Sequence, residues 1–263
     1  MPKLSIITIN YNNKNGLKKT IESVINQTWK DFEYIIVDGG STDGSLDIIK
    51  QYENQINFWV SEPDKGIYNA LNKGINYAKG EYLLFLNGDD CLIHNEILCK
   101  INNHIKGKDL IYFDVETVDD NKKNTIYYPH QLSFYFFYIT TICHQAVFFK
   151  KDIFIKYGLF DENLKIVSDW KFIMLSIIKY NVSYKHINDV FCVFDGRGIS
   201  SAKDKNNKHA MLHIQERQKV LSEEFPLFVS DYSEFQLLKF YFEKYKLGYI
   251  KKIAISLRQK FSF

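Results

Sequence analysis

The residues of this chain that are capable of chemistry gather directly after apolar segments in its first third. Asn10, Asp38 and Asp89 each stand at or just beyond the end of such a segment. Asp89 and Asp90 are adjacent carboxylates, which repel one another, and a hard divalent cation relieves that repulsion. Mg²⁺ typically takes one or two protein carboxylates together with phosphate oxygens of a substrate. One polar segment of this kind would be an ordinary turn, whereas three together indicate a binding site.

Each of these residues also has a purely structural interpretation. An Asp-Asp pair after a strand also occurs where side chains cap a turn. Asp38 either accepts hydrogen bonds from a base or ribose, or uses its carboxylate locally in the turn. Lys65, after Asp64 and before a helical segment, meets either a phosphate or solvent. Asp169, at a predicted helix start, is either a general base or a first-turn acidic residue.

The elements that must position these residues alternate through the first half of the chain. Strands are predicted at 4–9, 33–37, 58–60 and 82–86, with apolar residues at helical spacing between them. Apolar runs without polar alternation indicate a sheet covered on both faces, and alternating strands and helices indicate parallel pairing. Ligands bind beyond the carboxyl ends of such strands, which is where the polar segments lie.

The second half is less regular. It still predicts an α/β fold with a mixed, mainly parallel sheet flanked by helices and a C-terminal helical extension. The predicted strands are 110–115, 125–128, 146–149 and 191–194, and the predicted helices are 170–178 and about 206–224.

Composition excludes some classes of partner and location. The apolar and charged fractions, 46% and 25% of 263 residues, are those of a globular protein. The net charge of +3 is too small to argue for nucleic acid as a partner. The four cysteines form no C-x-x-C pair, and the first residues lack the build of a signal peptide. A reducing, cytoplasmic location is expected.

Two aromatic-rich segments have two interpretations each. Residues 132–143 are too short for a membrane span, and they form either a buried or half-buried segment or a face that touches a membrane. From residue 235 onward aromatic residues alternate with lysine and arginine. This tail is either a basic amphipathic helix on an anionic membrane surface, at the inner face of the plasma membrane, or a helix packed on the body.

Several common signatures are absent from the sequence. There is no G-x-G-x-x-G, no G-x-x-x-x-G-K-[ST] and no G-x-S-x-G segment. The usual phosphate-binding loops and the nucleophile elbow are therefore excluded.

Five segments together resemble the family-2 glycosyltransferases with the GT-A fold, and this resemblance covers about the first 200 residues. The second, third and fourth segments, in this order, are highly specific. The resemblance implies a Rossmann-like GT-A domain at 1–225, with a nucleotide-binding half at 1–105 and an acceptor half at 106–225, followed by a basic aromatic helical tail at 226–263. The segments are SIITINYN (5–12), VDGGSTDGS (37–45), EPDKGIYNALNKGI (62–75), YLLFLNGDD (82–90) and CHQAVFFKK…VSDWKF (143–172).

The resemblance also implies site residues. Asp169 is the implied catalytic base, and Asp89, with Asp90 sharing the work, is the implied ligand of a divalent cation, Mn²⁺ or Mg²⁺. Asn87 is a departure, since many relatives carry an aspartate there as the first residue of D-x-D. The implied nucleotide-binding residues are Thr8, Asn10, Tyr11, Asp38, Asp64, Lys65, Asn87 and Gly88. The residues expected on the acceptor side are His144, Gln145, Trp170 and Arg197, the last in a glycine-flanked loop expected to close over the donor.

The implied reaction is inverting transfer of a hexosyl or N-acetylhexosaminyl group. The donor is a nucleotide-diphosphate sugar, usually of uridine, and the acceptor is a saccharide or a lipid-linked glycan in bacterial surface polysaccharide synthesis, such as capsule or lipopolysaccharide. A sugar nucleotidyltransferase is one alternative, but it should carry a glycine-rich basic segment where this chain has residues 10–13. A degenerate scaffold subunit of a membrane glycan-assembly complex is the other, but it has no need of Asp38, Asp89 and Asp169 together.

Overall fold

The computed structural model describes residues 2–119, 122–195 and 208–244. Within these ranges nine strands form a mixed sheet in the order β3-β2-β1-β4-β8-β6-β9-β5, with β7 paired to β6. The strands are β1 (Leu4–Asn10), β2 (Phe32–Asp38), β3 (Phe58–Ser61), β4 (Tyr82–Asn87), β5 (Cys91–Leu92), β6 (Leu110–Asp119), β7 (Lys122–Ile126), β8 (Val147–Lys150) and β9 (Tyr184–Asp195).

Helices connect most of these strands, so the predicted mixed α/β fold is confirmed. A π-helical turn, Leu175–Lys179, follows α7 directly. The helices are α1 (Lys14–Ile25), α2 (Ser45–Gln51), α3 (Ile67–Tyr77), α4 (Ile97–Ile101), α5 (Phe134–Ile139), α6 (Lys151–Tyr157), α7 (Ser168–Met174), α8 (Lys208–Glu224) and α9 (Pro226–Lys244).

The four N-terminal strands of the sheet order, β3-β2-β1-β4, pair in parallel. Every residue of β1 is buried, as expected for a strand covered on both faces. The helix α3 packs closely on this strand, because a Cβ added at Gly74 would lie 2.4 Å from Ile7 Cγ2. The strands β8 and β6 then continue the sheet in antiparallel pairs, and β9 lies parallel to β6.

The register of the parallel strands brings their carboxyl ends together. Asn10 is the partner of Asp38, and Ile9 is the partner of Asn87. Asp38 is also the partner of Ser61 on the next strand. Four neighbouring strands therefore end side by side, as the sequence predicts for a ligand-binding edge.

The structure extends the predicted elements at three places. The strand β9 begins at Tyr184 rather than near 191, because it pairs with β6 across a bulge at Asp114 that local polarity does not reveal. The two-residue strand β5 exists only through its pairing with β9. The predicted 132–143 segment contains α5, whose Phe137 is buried while Ile139 is exposed.

Contacts divide the chain into two compact units, residues 1–214 and 215–263. In the second unit α9 carries exposed apolar side chains, among them Leu227, Phe235 and Leu238. Within the described ranges, no helix combines the length and the apolar character that crossing a bilayer requires. The predicted functional boundaries at 105 and 225 stay predictions.

Candidate active site

Asp38, at the end of β2, is fully buried and accepts four hydrogen bonds. Its donors are the Asn10 amide at 2.9 Å, the Ser41 hydroxyl and backbone N–H at 2.6 and 2.9 Å, and the Ser61 hydroxyl at 2.7 Å. Burial alone raises the pKa of Asp38, but these hydrogen bonds outweigh burial and lower it. The carboxylate is therefore ionised and ties three strand ends into one rigid edge.

Three further predicted nucleotide-binding residues follow the strand ends, and two of them, Tyr11 and Asp64, lie around Gly39. The ring of Tyr11 is 66% exposed, and a Cβ added at Gly39 would lie 3.1 Å from it. The same Cβ would lie 2.5 Å from Asp64 Oδ2, so the Asp64 loop approaches the backbone of Gly39 closely. Lys65 is exposed next to it. An exposed aromatic residue and a carboxylate thus approach the same glycine, and Lys65 follows the carboxylate in the chain.

Asp89 follows β4 with a backbone φ of 89°, a conformation that is uncommon outside glycine and that concentrates at functional sites. Its Oδ2 accepts a hydrogen bond from Asn13 Nδ2 at 2.7 Å. Its Oδ1 lies 3.4 Å from the Lys19 ammonium, and 27% of the side chain is exposed. A partly exposed carboxylate that already faces a cation offers the hard oxygen donors that Mg²⁺ and Mn²⁺ prefer.

Asp90 faces the interior instead, although it is the neighbour of Asp89. It is 4% exposed, and its Oδ2 accepts hydrogen bonds from Gln145 Nε2 and the backbone N–H of Asn87, both at 3.0 Å. No cluster of three or more His, Cys, Asp or Glu side chains suited to a metal ion occurs in the part of the chain that the structure describes. Asp89 is thus the better-placed of the two carboxylates for a cation.

Asp169, in the first turn of α7, is held between two side chains from distant parts of the chain. Its Oδ2 lies 2.8 Å from His144 Nδ1, and its Oδ1 accepts a hydrogen bond from the Tyr68 hydroxyl at 2.9 Å. The Asp169 side chain is 17% exposed, so part of the carboxylate remains accessible. Each carboxylate oxygen has a second lone pair, which leaves capacity for a substrate hydroxyl.

The ionisation of this cluster suits a proton acceptor. Burial alone raises the pKa of Asp169, but the hydrogen bond to His144 and the charge of His144 outweigh it, so the pKa falls below its usual value. Burial lowers the pKa of His144, whereas Asp169 raises it, with a net rise. Burial and then the charge of Asp169 raise the pKa of Tyr68 well above its ordinary value, so its hydroxyl stays protonated.

Two contacts link this cluster to the end of β4. His144 Nε2 lies 3.3 Å from Asn87 Nδ2, and Gln145 donates to Asp90 as described above. Both His144 and Gln145 are buried. His144 and Gln145, both predicted on the acceptor side, therefore connect the candidate base to the residues on either side of Gly88 and Asp89.

A cavity of ≈ 330 Å³ opens beside Tyr68. Its lining combines four aliphatic side chains and a tyrosine with polar ones, including two lysines, a glutamate and a histidine. The residues that line it are Lys65, Gly66, Ile67, Tyr68, Asn69, Glu162, Leu164, Lys165, Ile166, His209 and Leu212.

Three further predicted residues have contacts of their own, and a fourth is not described by the structure. Thr8 is fully buried, with its hydroxyl 3.0 Å from the Tyr34 hydroxyl. Trp170 is 2% exposed, and its indole donates to the Phe137 carbonyl. Gly88 accepts a weak hydrogen bond from Asn13 through its carbonyl. Arg197 lies outside the described residues.

Tyr68, Asn13 and Lys19 were not among the predicted site residues. In the sequence, Tyr68 stands beside the apolar stripe of α3 and has the pattern of a core residue. A buried tyrosine hydroxyl needs a hydrogen-bond partner, which indicates a polar neighbour. Asn13 caps α1 by accepting a hydrogen bond from the Gly16 N–H. Its residue type favours such a capping role, but it does not predict the contact with Asp89. The sequence carries no local signal for the contact between Lys19 and Asp89.

Comparison with known proteins places these motifs in a family. Residues 5–160 match the model of Glycosyl transferase family 2. An uncharacterised glycosyltransferase of Mycobacterium tuberculosis is 30% identical over 210 residues, which cover 77% of this chain and 79% of the relative. A PGL/p-HBAD biosynthesis glycosyltransferase of Mycobacterium bovis is 33% identical over 178 residues, covering 65% and 68% of the two chains.

Solved structures share the fold at low identity. S. aureus TarS 1-349 in complex with UDP superposes with a TM-score of 0.60 at 21% identity, over 73% of this chain and 60% of TarS 1-349. The mannosyltransferase PcManGT of Pyrobaculum calidifontis, in complex with GDP-Man and Mn²⁺, superposes with a TM-score of 0.62 at 15% identity, over 83% and 64% of the two chains. This chain thus spans less than two thirds of the length of either structure. With a family match over more than half its length, the chain belongs to glycosyl transferase family 2 and is a glycosyltransferase with the GT-A fold.

Proposed function

We propose that this glycosyltransferase transfers a hexosyl or N-acetylhexosaminyl group from a UDP-sugar to a saccharide or lipid-linked acceptor, with inversion at the anomeric carbon. The observation that carries this proposal is the buried Asp169 carboxylate, held by His144 and Tyr68. A general base must be ionised and able to accept a further hydrogen bond. Asp169 meets both conditions, and His144 links it to Asn87 at the end of β4.

The donor side of the proposal rests on the strand-end edge. Tyr11 offers an exposed ring for a base, Asp64 approaches Gly39 beside that ring, and the exposed Lys65 follows Asp64 in the chain. Asp38 is the proposed reader of uracil. Because it is fully buried and already accepts four hydrogen bonds, a base that reaches it must replace one of its present donors. Solved relatives of this fold bind nucleoside diphosphate sugars, UDP-GlcNAc in TarS and GDP-Man in PcManGT, which supports this donor class.

Asp89 is the proposed protein ligand of a divalent cation, Mn²⁺ or Mg²⁺. Such an ion, when bound, neutralises the negative charge that develops on a leaving diphosphate. Asn13 orients the Asp89 carboxylate by its hydrogen bond to Oδ2. Lys19 keeps the carboxylate paired with a positive charge in the free protein. The Mn²⁺ bound by PcManGT is consistent with this choice of ions.

The proposed reaction is one displacement. Asp169 takes the proton of the acceptor hydroxyl as that oxygen forms its bond to the anomeric carbon. The bond from the anomeric carbon to the diphosphate oxygen breaks at the same time, and UDP leaves with the electron pair. Tyr68 and His144 hold the carboxylate in place during this transfer. One displacement inverts the configuration.

The cavity beside Tyr68 is the proposed acceptor pocket. Tyr68 lines the cavity and also contacts Asp169, so an acceptor seated there is separated from the base by the Tyr68 side chain and must extend its hydroxyl past it. Bacterial surface polysaccharide synthesis, for capsule or lipopolysaccharide, is the proposed process. A related enzyme is named as a PGL/p-HBAD biosynthesis glycosyltransferase, which supports a biosynthetic role for the transfer.

The proposed location is the cytoplasm, at the inner face of the plasma membrane. The sequence of residues 245–263 carries five basic residues and no acidic residue, interleaved with aromatic and aliphatic ones. Such a composition favours an anionic membrane surface. The structure of these residues lies outside the described ranges.

The first experiment is isothermal titration of the protein with UDP, in Mn²⁺ and then in EDTA. Binding of UDP that depends on the metal is expected, followed by UDP release when the matching UDP-sugar and acceptor are supplied. Binding of GDP in place of UDP would change the donor and keep the mechanism. No binding of any nucleoside diphosphate would refute the proposal in favour of a scaffold, and pyrophosphate release from UTP and a sugar phosphate would favour a nucleotidyltransferase.

A further inference from the structure

We propose that Asn87 and His144 form a positioning chain for Asp169, in which the Asn87 amide fixes His144 with its proton on Nδ1, pointing at the Asp169 carboxylate. This inference deepens the proposed function, because it rests on Asp169 as the base. It gives Asn87 and His144 roles other than nucleotide binding and acceptor binding.

The first step of the argument is the direction of the hydrogen bonds. Asn87 Nδ2 lies 3.3 Å from His144 Nε2. In this orientation of the amide, Nδ2 donates and Nε2 accepts, so Nε2 carries no proton. The proton of the neutral imidazole is then on Nδ1, which lies 2.8 Å from Asp169 Oδ2. Asn87 thereby selects the one neutral form of His144 that can donate to the base.

The second step is burial. His144 is 9% exposed, and Asn87 Oδ1 is buried without a hydrogen-bond partner among the described residues. A buried oxygen with no partner is costly, and such groups call for an explanation. Rotation of the amide would turn this oxygen toward Nε2, where it would accept a hydrogen bond from a doubly protonated His144. The pair therefore has a second arrangement available, which matches the charged imidazole.

The third step concerns the charges around the imidazole. Asp169 faces Nδ1, and the negative charge of Asp90 also raises the pKa of His144. The neighbouring Cys143 thiol is neutral, because burial raises its pKa to about 11. The Tyr68 hydroxyl faces Asp169 and stays protonated. An aspartate at 87 would add another carboxylate near Nε2 and would favour the charged imidazole, whereas asparagine favours the neutral form.

The positioning of Asp169 by Asn87 and His144 affects how readily Asp169 accepts a proton. A neutral Nδ1–H orients the Asp169 carboxylate and leaves it able to take a proton. The charge of a protonated His144 contributes to the lowered pKa of Asp169, so an imidazolium that persisted during the reaction would make Asp169 a weaker base. Asn87 thus keeps Asp169 able to accept a proton, although Asn87 itself is the last residue of β4, on the proposed donor side of the site.

The direct test is long-range ¹H–¹⁵N spectroscopy of the full-length protein labelled at histidine nitrogens, in EDTA and at a pH above the pKa of His144. The His144 signals are assigned by their loss in His144→Asn. Protonated Nδ1 and unprotonated Nε2 are expected in the wild type. A proton on Nε2 instead of Nδ1 would overturn the proposal.

Asn87→Asp is the matched variant for the same spectra. The doubly protonated imidazole is expected to persist to higher pH than in the wild type, because a carboxylate replaces the amide opposite Nε2. If His144 titrates in this variant as it does in the wild type, the contact with residue 87 does not determine the protonation of His144.

A kinetic pair of variants separates positioning from packing. In asparagine the amide nitrogen is as many bonds from Cα as Nδ1 is in histidine. In glutamine the amide oxygen is as many bonds from Cα as Nε2 is, so it can accept from the Asn87 amide in place of Nε2. His144→Asn therefore keeps a donor toward Asp169, while His144→Gln keeps only the contact with Asn87. We expect His144→Gln to lower kcat by about 10- to 100-fold with little change in the Kd for UDP, and His144→Asn to recover most of that loss.

Equal activity of the two variants would refute the positioning role. Wild-type turnover by Asp169→Asn would instead refute the proposed function itself. The spectra of His144 do not depend on turnover, so the two failures are distinguishable.

Discussion

The Tyr68 hydroxyl donates a 2.9 Å hydrogen bond to Asp169 Oδ1 across 101 positions of sequence. Tyr68 is on α3, which follows the proposed nucleotide-binding residues Asp64 and Lys65, and Asp169 is on α7. The Tyr68 ring also lies 6.0 Å from that of Phe160, centroid to centroid, which fixes its orientation. The Tyr68 side chain therefore connects α3 with the proposed base.

Tyr68→Phe tests this connection. The variant keeps the ring packing and removes the hydroxyl, so Asp169 loses one of the two side chains that orient it. We expect kcat to fall by about 10-fold while the Kd for UDP is unchanged. Tyr77→Phe on the exposed face of the same helix is the control and should behave as wild type. Equal kinetics in the two variants would remove Tyr68 from the site.

Asp169→Asn tests the proposed base. The amide cannot accept the acceptor proton at neutral pH, so transfer is expected to fall by about 10²- to 10⁴-fold. Titration with UDP should give a near wild-type Kd, since Asp169 contacts His144 and Tyr68 rather than the strand-end edge. Normal transfer by this variant would mean that another group takes the proton.

Asp89→Asn tests the proposed cation ligand. Loss of the carboxylate charge should abolish the gain in UDP affinity that Mn²⁺ gives the wild type, because the ion loses its protein anchor. Asp152→Asn is the matched control, since Asp152 is 74% exposed and lies on α6. If Asp89→Asn retains metal-dependent UDP binding, the cation is held elsewhere.

Asp38→Asn tests the strand-end edge by its stability. The amide cannot accept hydrogen bonds from all of the donors that Asn10, Ser41 and Ser61 present. The free energy of unfolding should therefore fall by about 1–3 kcal/mol at neutral pH. The pKa of Asp38 is lowered in the folded state, so its stabilisation is present above the unfolded-state pKa of about 3.9. It is lost as the pH falls through the folded-state pKa. Denaturant unfolding at neutral and acid pH should show the difference between variant and wild type shrink toward acid pH, and a constant difference would contradict this origin.

The basic tail is tested with vesicles. Replacing Lys251, Lys252 and Arg258 by serine should weaken binding to vesicles that contain anionic lipid by about 100-fold, at roughly 1 kcal/mol for each basic residue. The control replaces Lys18, Lys50 and Lys106 on the first unit, which are exposed there. Equal binding by both triple variants in a co-sedimentation assay would exclude the tail as the membrane contact.

The strand-end edge shows how far the sequence reaches. Continuous apolar runs followed by polar residues predict β1, β2 and β4, and the structure has them within one or two residues. The motifs after them identify the family, and the family match confirms that reading. By contrast, the start of β9 could not be predicted, because its polar residues become a strand only by pairing with β6.

The sequence by itself determined the fold class, the family and the residue types at the strand ends, because apolar periodicity and short motifs are local properties of the chain. Only the tertiary structure decided that Asp90 faces Gln145 while Asp89 faces Asn13 and Lys19, since two adjacent carboxylates look alike until the backbone turns between them. It also decided that Tyr68, His144 and Asn87 meet around Asp169. Hydrogen bonds between residues so far apart depend on how the helices pack on the sheet, and no local pattern encodes that packing.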